Sequence, residues 1–102
     1  MGTVWKMESS VKDVLIKIIG EVDFTVTPEL REHMHNFVMQ TSGEVRVDLS
    51  ELNYLDSSGL ASLIELRRIL LEDNRTVKII AVTEPVDRIL TLTQVKSLFG
   101  LA

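Results

Sequence analysis

Residues 14–19 (VLIKII), 44–49 (EVRVDL) and 76–82 (TVKIIAV) each read as a strand, and the segments between them are long enough for one amphipathic helix each. That alternation constrains the fold more than any other feature. A strand, a helical crossover and a second strand in one sheet close right-handed and leave the strands parallel. The run at 14–19 is nearly continuous in branched apolar residues, which predicts a strand buried on both faces and ended by Gly20. The run at 44–49 alternates instead, with Val45, Val47 and Leu49 on one side and Arg46 and Asp48 on the other. Upstream, residues 5–8 read as a short first strand. Ser9-Ser10 and Lys12-Asp13 place a turn after it, so it pairs antiparallel with the next.

The helices carry their own signals. Thr27 before Pro28 predicts a start, with a capping hydroxyl, proline at the first helical position and Glu29 near the positive end of the dipole. Leu30, Met34, Phe37 and Val38 then form one apolar face, and Gly43 supplies the stop. Residues 50–57 read as a loop anchored by Leu52 and Leu55. A second helix is predicted over 58–74, with Leu60, Leu63, Ile64, Leu70 and Leu71 buried and Leu66 and Ile69 widening that side. Thr83-Glu84-Pro85 opens a third, with Val86, Ile89 and Leu90 facing inward, and an apolar tail follows over 95–102. The expected fold is α/β, a mixed, mostly parallel four-stranded sheet with three or more helices in the order β-β-α-β-α-β-α. It forms one domain over residues 1–102.

A chain of 102 residues has room for one core and not for two. Eleven basic against fifteen acidic residues leave a net charge of −4, a poor basis for binding nucleic acid, which needs a concentrated basic face. The absence of cysteine removes disulfides, thiolate metal sites, iron–sulfur clusters and cysteine nucleophiles together. No apolar run approaches the roughly 18–20 residues of a membrane-spanning helix, and residues 1–10 lack the apolar region of a signal peptide. The expectation is a cytoplasmic protein with no membrane partner.

Parallel strands present their carboxyl ends on one edge of a sheet, where ligands and partners tend to be met. The loops expected on that edge gather Asp23, Asp56, Ser57, Ser58 and Thr83. Within Asp56-Ser57-Ser58-Gly59-Leu60, Asp and Ser are favoured helix caps and Gly59 lets the backbone bend tightly. Capping leaves room for a second role. A serine in the first turn of a helix holds its hydroxyl among unpaired backbone amides, which together with the dipole stabilise a phosphate. Asp56 and Asp23 would repel it, and nearly two added negative charges would remake a small binding surface.

Other chemistries fit these residues less well. A serine nucleophile needs an adjacent base, and His33 and His35 both lie on the first helix, on different faces. Their spacing is also not the i, i+4 of a helical metal pair. Asp23 with Asp56, or Asp48 with Glu51, lack the aromatics and basic clamps of a catalytic pocket. The five glycines are scattered and form no phosphate-cradling loop. Arg67-Arg68 reads as a solvated helix face. No catalytic residue, metal or cofactor is expected.

Gly20-Glu21-Val22-Asp23 after a strand, Val47-Asp48-Leu49-Ser50 in the next, and Leu55-Asp56-Ser57-Ser58-Gly59-Leu60 together resemble the STAS domain, and more narrowly the bacterial anti-sigma-factor antagonists. The resemblance covers residues from about Trp5 to Phe99. It implies that Ser58, with Ser57 as second choice, is phosphorylated. It also implies that the unphosphorylated form binds an anti-sigma factor that is itself a serine kinase of the histidine-kinase-like ATPase type, freeing the sigma factor. A PP2C-type phosphatase would reset the cycle. Asp23 corresponds to the acidic residue beside the phosphorylation site, and Asp23, Asp56, Ser57, Ser58, Gly59 and Thr83 make up the expected switch surface. The protein is then a substrate and a binding switch, not an enzyme. The alternative is a STAS scaffold subunit of a signalling or lipid-transport complex that binds constitutively without phosphorylation. Related domains often continue with a further strand and helix, so an uncovered sheet edge here favours a homodimer.

Overall fold

The short link after the first strand and the helical links after the next two dictate the pairing. The computed structural model describes residues 4–101. It runs β1 (Trp5–Ser10), β2 (Leu15–Val22), α1 (Thr27–Met39), β3 (Val45–Leu55), α2 (Ser57–Glu72), β4 (Val77–Val82) and α3 (Glu84–Leu92), then one 3-10 turn at Lys96–Phe99. β1 pairs antiparallel with β2, whereas β2 with β3 and β3 with β4 are parallel. The spatial order is β1-β2-β3-β4, so the fold is the α/β mixed sheet that the pattern of runs predicts.

All three helices contribute to one core against one face of the sheet, the face carrying Ile16, Ile18, Val45, Val47, Leu49, Val77 and Ile79. The expectation that β2 is buried on both faces is therefore corrected. Ile16 and Ile18 are buried, but Leu15, Lys17 and Ile19 on the opposite face are only half-buried. That face carries charge, with Lys17 paired to Glu51 and Arg46 and Lys78 exposed. Phe99 is fully buried, which ties the 3-10 turn into the same core.

Gly20 does not end β2. It sits inside the strand at φ +94°, where a Cβ would fall 2.3 Å from the Val4 carbonyl oxygen, and the strand continues to Val22. Thr27 is not the cap of α1 either. Asp23 folds the preceding turn by accepting from the Val26 and Thr27 amides at 3.1 and 3.2 Å, so Val26 takes the cap position. Thr27 becomes the first helical residue, buried, with its hydroxyl donating to the Phe24 carbonyl at 3.3 Å.

The largest correction concerns residues 50–57. They are not a loop, because β3 runs for 11 residues to Leu55. Against β2 its register slips twice, between the partners of Lys17 and Ile19 and again between those of Gly20 and Glu21. Each slip is a bulge that rotates the following side chains. Buried positions thus pass from Val45, Val47 and Leu49 to Leu52 and Leu55, a spacing of three that hides the strand from an alternation test. Helix α2 correspondingly starts at Ser57 and ends at Glu72, and Ile64 and Leu71, expected inside, lie on its exposed side.

Gly43 lies beyond the end of α1, which stops at Met39. At φ +78° it turns the chain into β3. The terminus of α1 is closed by Arg75, which is buried to 6% exposure. Its Nε donates to the Gly43 carbonyl at 2.8 Å, Nη1 to the Val38 carbonyl at 3.0 Å and Nη2 to Thr41 Oγ1 at 2.8 Å. A cation at the negative end of a helix dipole is favourable, and here it also satisfies carbonyls the helix cannot.

Candidate functional site

β2 and β3 end side by side in Val22 and Leu55, both buried, and the Asp56 amide donates to the Val22 carbonyl at 3.2 Å. Only Asp56 separates β3 from α2. Its backbone is extended, at φ −92° and ψ −176°, while its carbonyl already accepts from Leu60 N at 3.0 Å, the arrangement of a helix N-cap. Oδ1 accepts from the Gly59 amide at 2.9 Å and from the Ser58 hydroxyl at 2.6 Å. Oδ2 accepts from the Phe24 amide at 3.1 Å. Burial pushes the Asp56 carboxyl up. The bonds from the Ser58 hydroxyl and from the Gly59, Phe24 and Ser58 amides outweigh it and hold the group below its ordinary value.

Gly59 is required by close approach rather than by its dihedrals. A Cβ there would lie 2.4 Å from Leu55 Cδ1 and 3.0 Å from Val22 Cγ1, so the first turn of α2 rests directly on the ends of the two strands. This seat turns Ser57 to solvent, leaves Ser58 half-buried, and places the Ser58 carbonyl 3.0 Å from the Ser62 hydroxyl that donates to it.

Asp23 is brought to the same place. Its Oδ1 accepts from the Thr25 amide at 2.9 Å and from the Thr25 hydroxyl, and the next residue is the one tethered to Asp56. Thr83 caps α3 by position, but its hydroxyl donates to the Leu52 carbonyl at 2.6 Å. The structure therefore assembles Asp23, Asp56, Ser57, Ser58 and Gly59 around one junction and bonds Thr83 further back along β3.

Phe24, 71% exposed beside Asp56, belongs to this surface and was not expected. An aromatic ring exposed in a turn has no periodicity to reveal it. The histidines lie elsewhere, on α1, with His33 Nε2 3.6 Å from Glu29 and His35 Nε2 3.9 Å from Glu65. The partner of the Ser58 hydroxyl is a carboxylate held ionised, which orients the hydroxyl but is a poor base for activating it. Among the described residues no three His, Asp or Glu side chains form a group that could hold a metal ion, and no helix is long and apolar enough to cross a membrane.

The family model described as "Mlab, STAS domain" matches residues 5–100. The chain belongs to the STAS family. Within it, the STAS domain described here is similar to an anti-sigma-B factor antagonist of Staphylococcus epidermidis, at 29% identity over 83 residues, which span 81% of this chain and 77% of that relative. The corresponding protein of Staphylococcus aureus (strain NCTC 8325 / PS 47) is 26% identical over the same lengths. Among solved structures, an anti-sigma factor antagonist from Mycobacterium paratuberculosis superposes with a TM-score of 0.79 at 22% identity, covering 98% of this STAS domain and 85% of that chain. The anti-sigma factor antagonist SpoIIAA in its unphosphorylated form superposes with a TM-score of 0.73 at 18% identity, covering 93% and 84%. These two likenesses establish the STAS fold.

Proposed function

We propose that this STAS domain is an anti-sigma-factor antagonist whose binding surface is the junction of β2, β3 and α2, and that phosphorylation of Ser58 switches it off. The names of its relatives support the role. The observation that carries the switch is the Ser58 hydroxyl, held 2.6 Å from Asp56 Oδ1 in the first turn of α2. Phosphorylation forms a bond from Ser58 Oγ to the γ-phosphorus of ATP, breaks the bond to the departing ADP, and releases the hydroxyl proton to a base of the kinase. It removes the donor that Asp56 accepts and sets about −1.5 to −2 charges against that carboxylate. The amides at the start of α2 offset part of this repulsion, so the helix survives while its surface changes.

In this reading the partners are an anti-sigma factor that is a serine kinase and a PP2C-type phosphatase. The protein is their substrate rather than an enzyme, and it works in the cytoplasm. Ser57 is the second choice, since it is exposed but makes no bond to Asp56. The test mixes the purified chain with its anti-sigma factor and ATP and maps phosphate by mass spectrometry. Modification at Ser58 is expected, and modification confined to serines other than 57 and 58 would overturn the switch. Ser58→Ala should bind the partner and resist the kinase, whereas Ser58→Asp should bind more weakly. Equal binding by the two variants, with no phosphate incorporated, would leave a constitutive scaffold in place of a switch.

A further inference from the structure

The outer edge of β1 carries a self-complementary pattern. The Val4 carbonyl accepts from Glu21 N at 2.9 Å, while Arg46 N and Asp56 N on the far side of β2 donate to Val14 and Val22 carbonyls. Odd positions of β2 therefore face β1 and even positions face β3. With the register Lys6↔Ile19, Glu8↔Lys17 and Ser10↔Leu15, the backbone groups of Lys6, Glu8 and Ser10 point inward to β2. Those of Trp5, Met7 and Ser9 point outward, and among the described residues no other strand lies beyond β1.

We propose that a second copy of this chain pairs antiparallel along this edge, about a two-fold axis at Met7, to make a dimer with one continuous eight-stranded sheet. The two Met7 residues then exchange their outward N–H and C=O groups, and Trp5 stands opposite Ser9 of the other copy. Lys6 of each copy lies opposite Glu8 of the other. Within one chain these two already pair at 3.1 Å, side by side on the open face, with side chains 64% and 49% exposed. The charges also choose the register. A slip that centres the axis on Lys6 puts lysine opposite lysine, and one centred on Glu8 puts glutamate opposite glutamate, both unfavourable. Only the pairing about Met7 joins opposite charges twice, as a two-fold interface requires.

The test is sedimentation equilibrium of the full chain over a dilution series, with far-UV circular dichroism to confirm folding. The wild type should dimerise. Lys6→Glu and Glu8→Lys should each weaken the dimer by about tenfold or more, because two cross-strand pairs turn repulsive. The double swap should restore it. A mixture of the two single variants should associate more tightly than either alone. A wild type that stays monomeric throughout, or a dimer indifferent to these swaps, would overturn the proposal. None of these variants touches Ser58, so the outcome stands apart from that of the phosphorylation test.

Discussion

Two helix ends in this molecule are closed by a charged side chain, and they are closed differently. At the end of α1, Arg75 is buried and spends its donors on two carbonyls and a hydroxyl drawn from three positions between residues 38 and 43. At the start of α2, Asp56 is half-exposed and shares its carboxylate between backbone amides and the hydroxyl of Ser58. The first arrangement has its polar atoms turned inward and can only stabilise. The second keeps one modifiable partner at the surface. The two sit at opposite ends of the parallel strands, so the buried closure and the proposed binding surface are separated by the length of the sheet.

Substitutions can break this contrast. Arg75→Ala should have the largest effect on folding, a loss of about 3 kcal/mol, because it strips charge-assisted bonds from a buried site and leaves the Val38 and Gly43 carbonyls without them. Urea unfolding would measure it, and partner binding by the fraction that stays folded should be unchanged. Gly59→Ala should cost about 2 kcal/mol through overpacking against Leu55 and Val22, and should also disturb binding by lifting the first turn of α2. If it moved stability alone, the seat of α2 would not matter to recognition.

Asp56→Ala should cost about 1 kcal/mol as a lost cap and free the Ser58 hydroxyl. It also has a pH signature. The folded carboxyl lies below its unfolded value of about 3.9, so its contribution is fully present above that value and is lost as pH falls through the folded one. Acid unfolding curves of wild type and variant should therefore converge as the pH drops below about 4. Asp48 is also lowered, since bonds from Ser50 outweigh its burial, but it is common to both proteins and cancels in the difference. The smallest effect belongs to Arg68→Ala, which removes the exposed pair to Glu72 at 2.6 Å and should cost at most about 0.5 kcal/mol. A loss as large as that of Asp56→Ala would mean that the exposed side of α2 bears as much of the fold as the cap at its start.

The order of elements and the parallel crossovers were legible because each rests on local periodicity and chain length. So was the Asp56-Ser57-Ser58-Gly59 junction, where cap chemistry is written in neighbouring residues. The second half of β3 was not, since its bulges exchange a period of two for one of three and leave Leu52 and Leu55 looking like loop anchors. Arg75 was invisible for a different reason. Its partners lie more than 30 residues away, and nothing in a lone arginine between Asn74 and Thr76 marks it as buried. Thr27 misled because the turn built by Asp23 took over the capping work one residue earlier.

A single residue joins β3 to α2, and that residue is bonded to three segments at once. Such a joint has no slack. A group attached in the first turn of the helix cannot open a hinge between β3 and α2, because no spare residue lies between them. Information placed at Ser58 would have to be read by contact, through the difference in affinity a partner feels for two nearly identical shapes, and the discrimination would then be a property of the reader as much as of this chain.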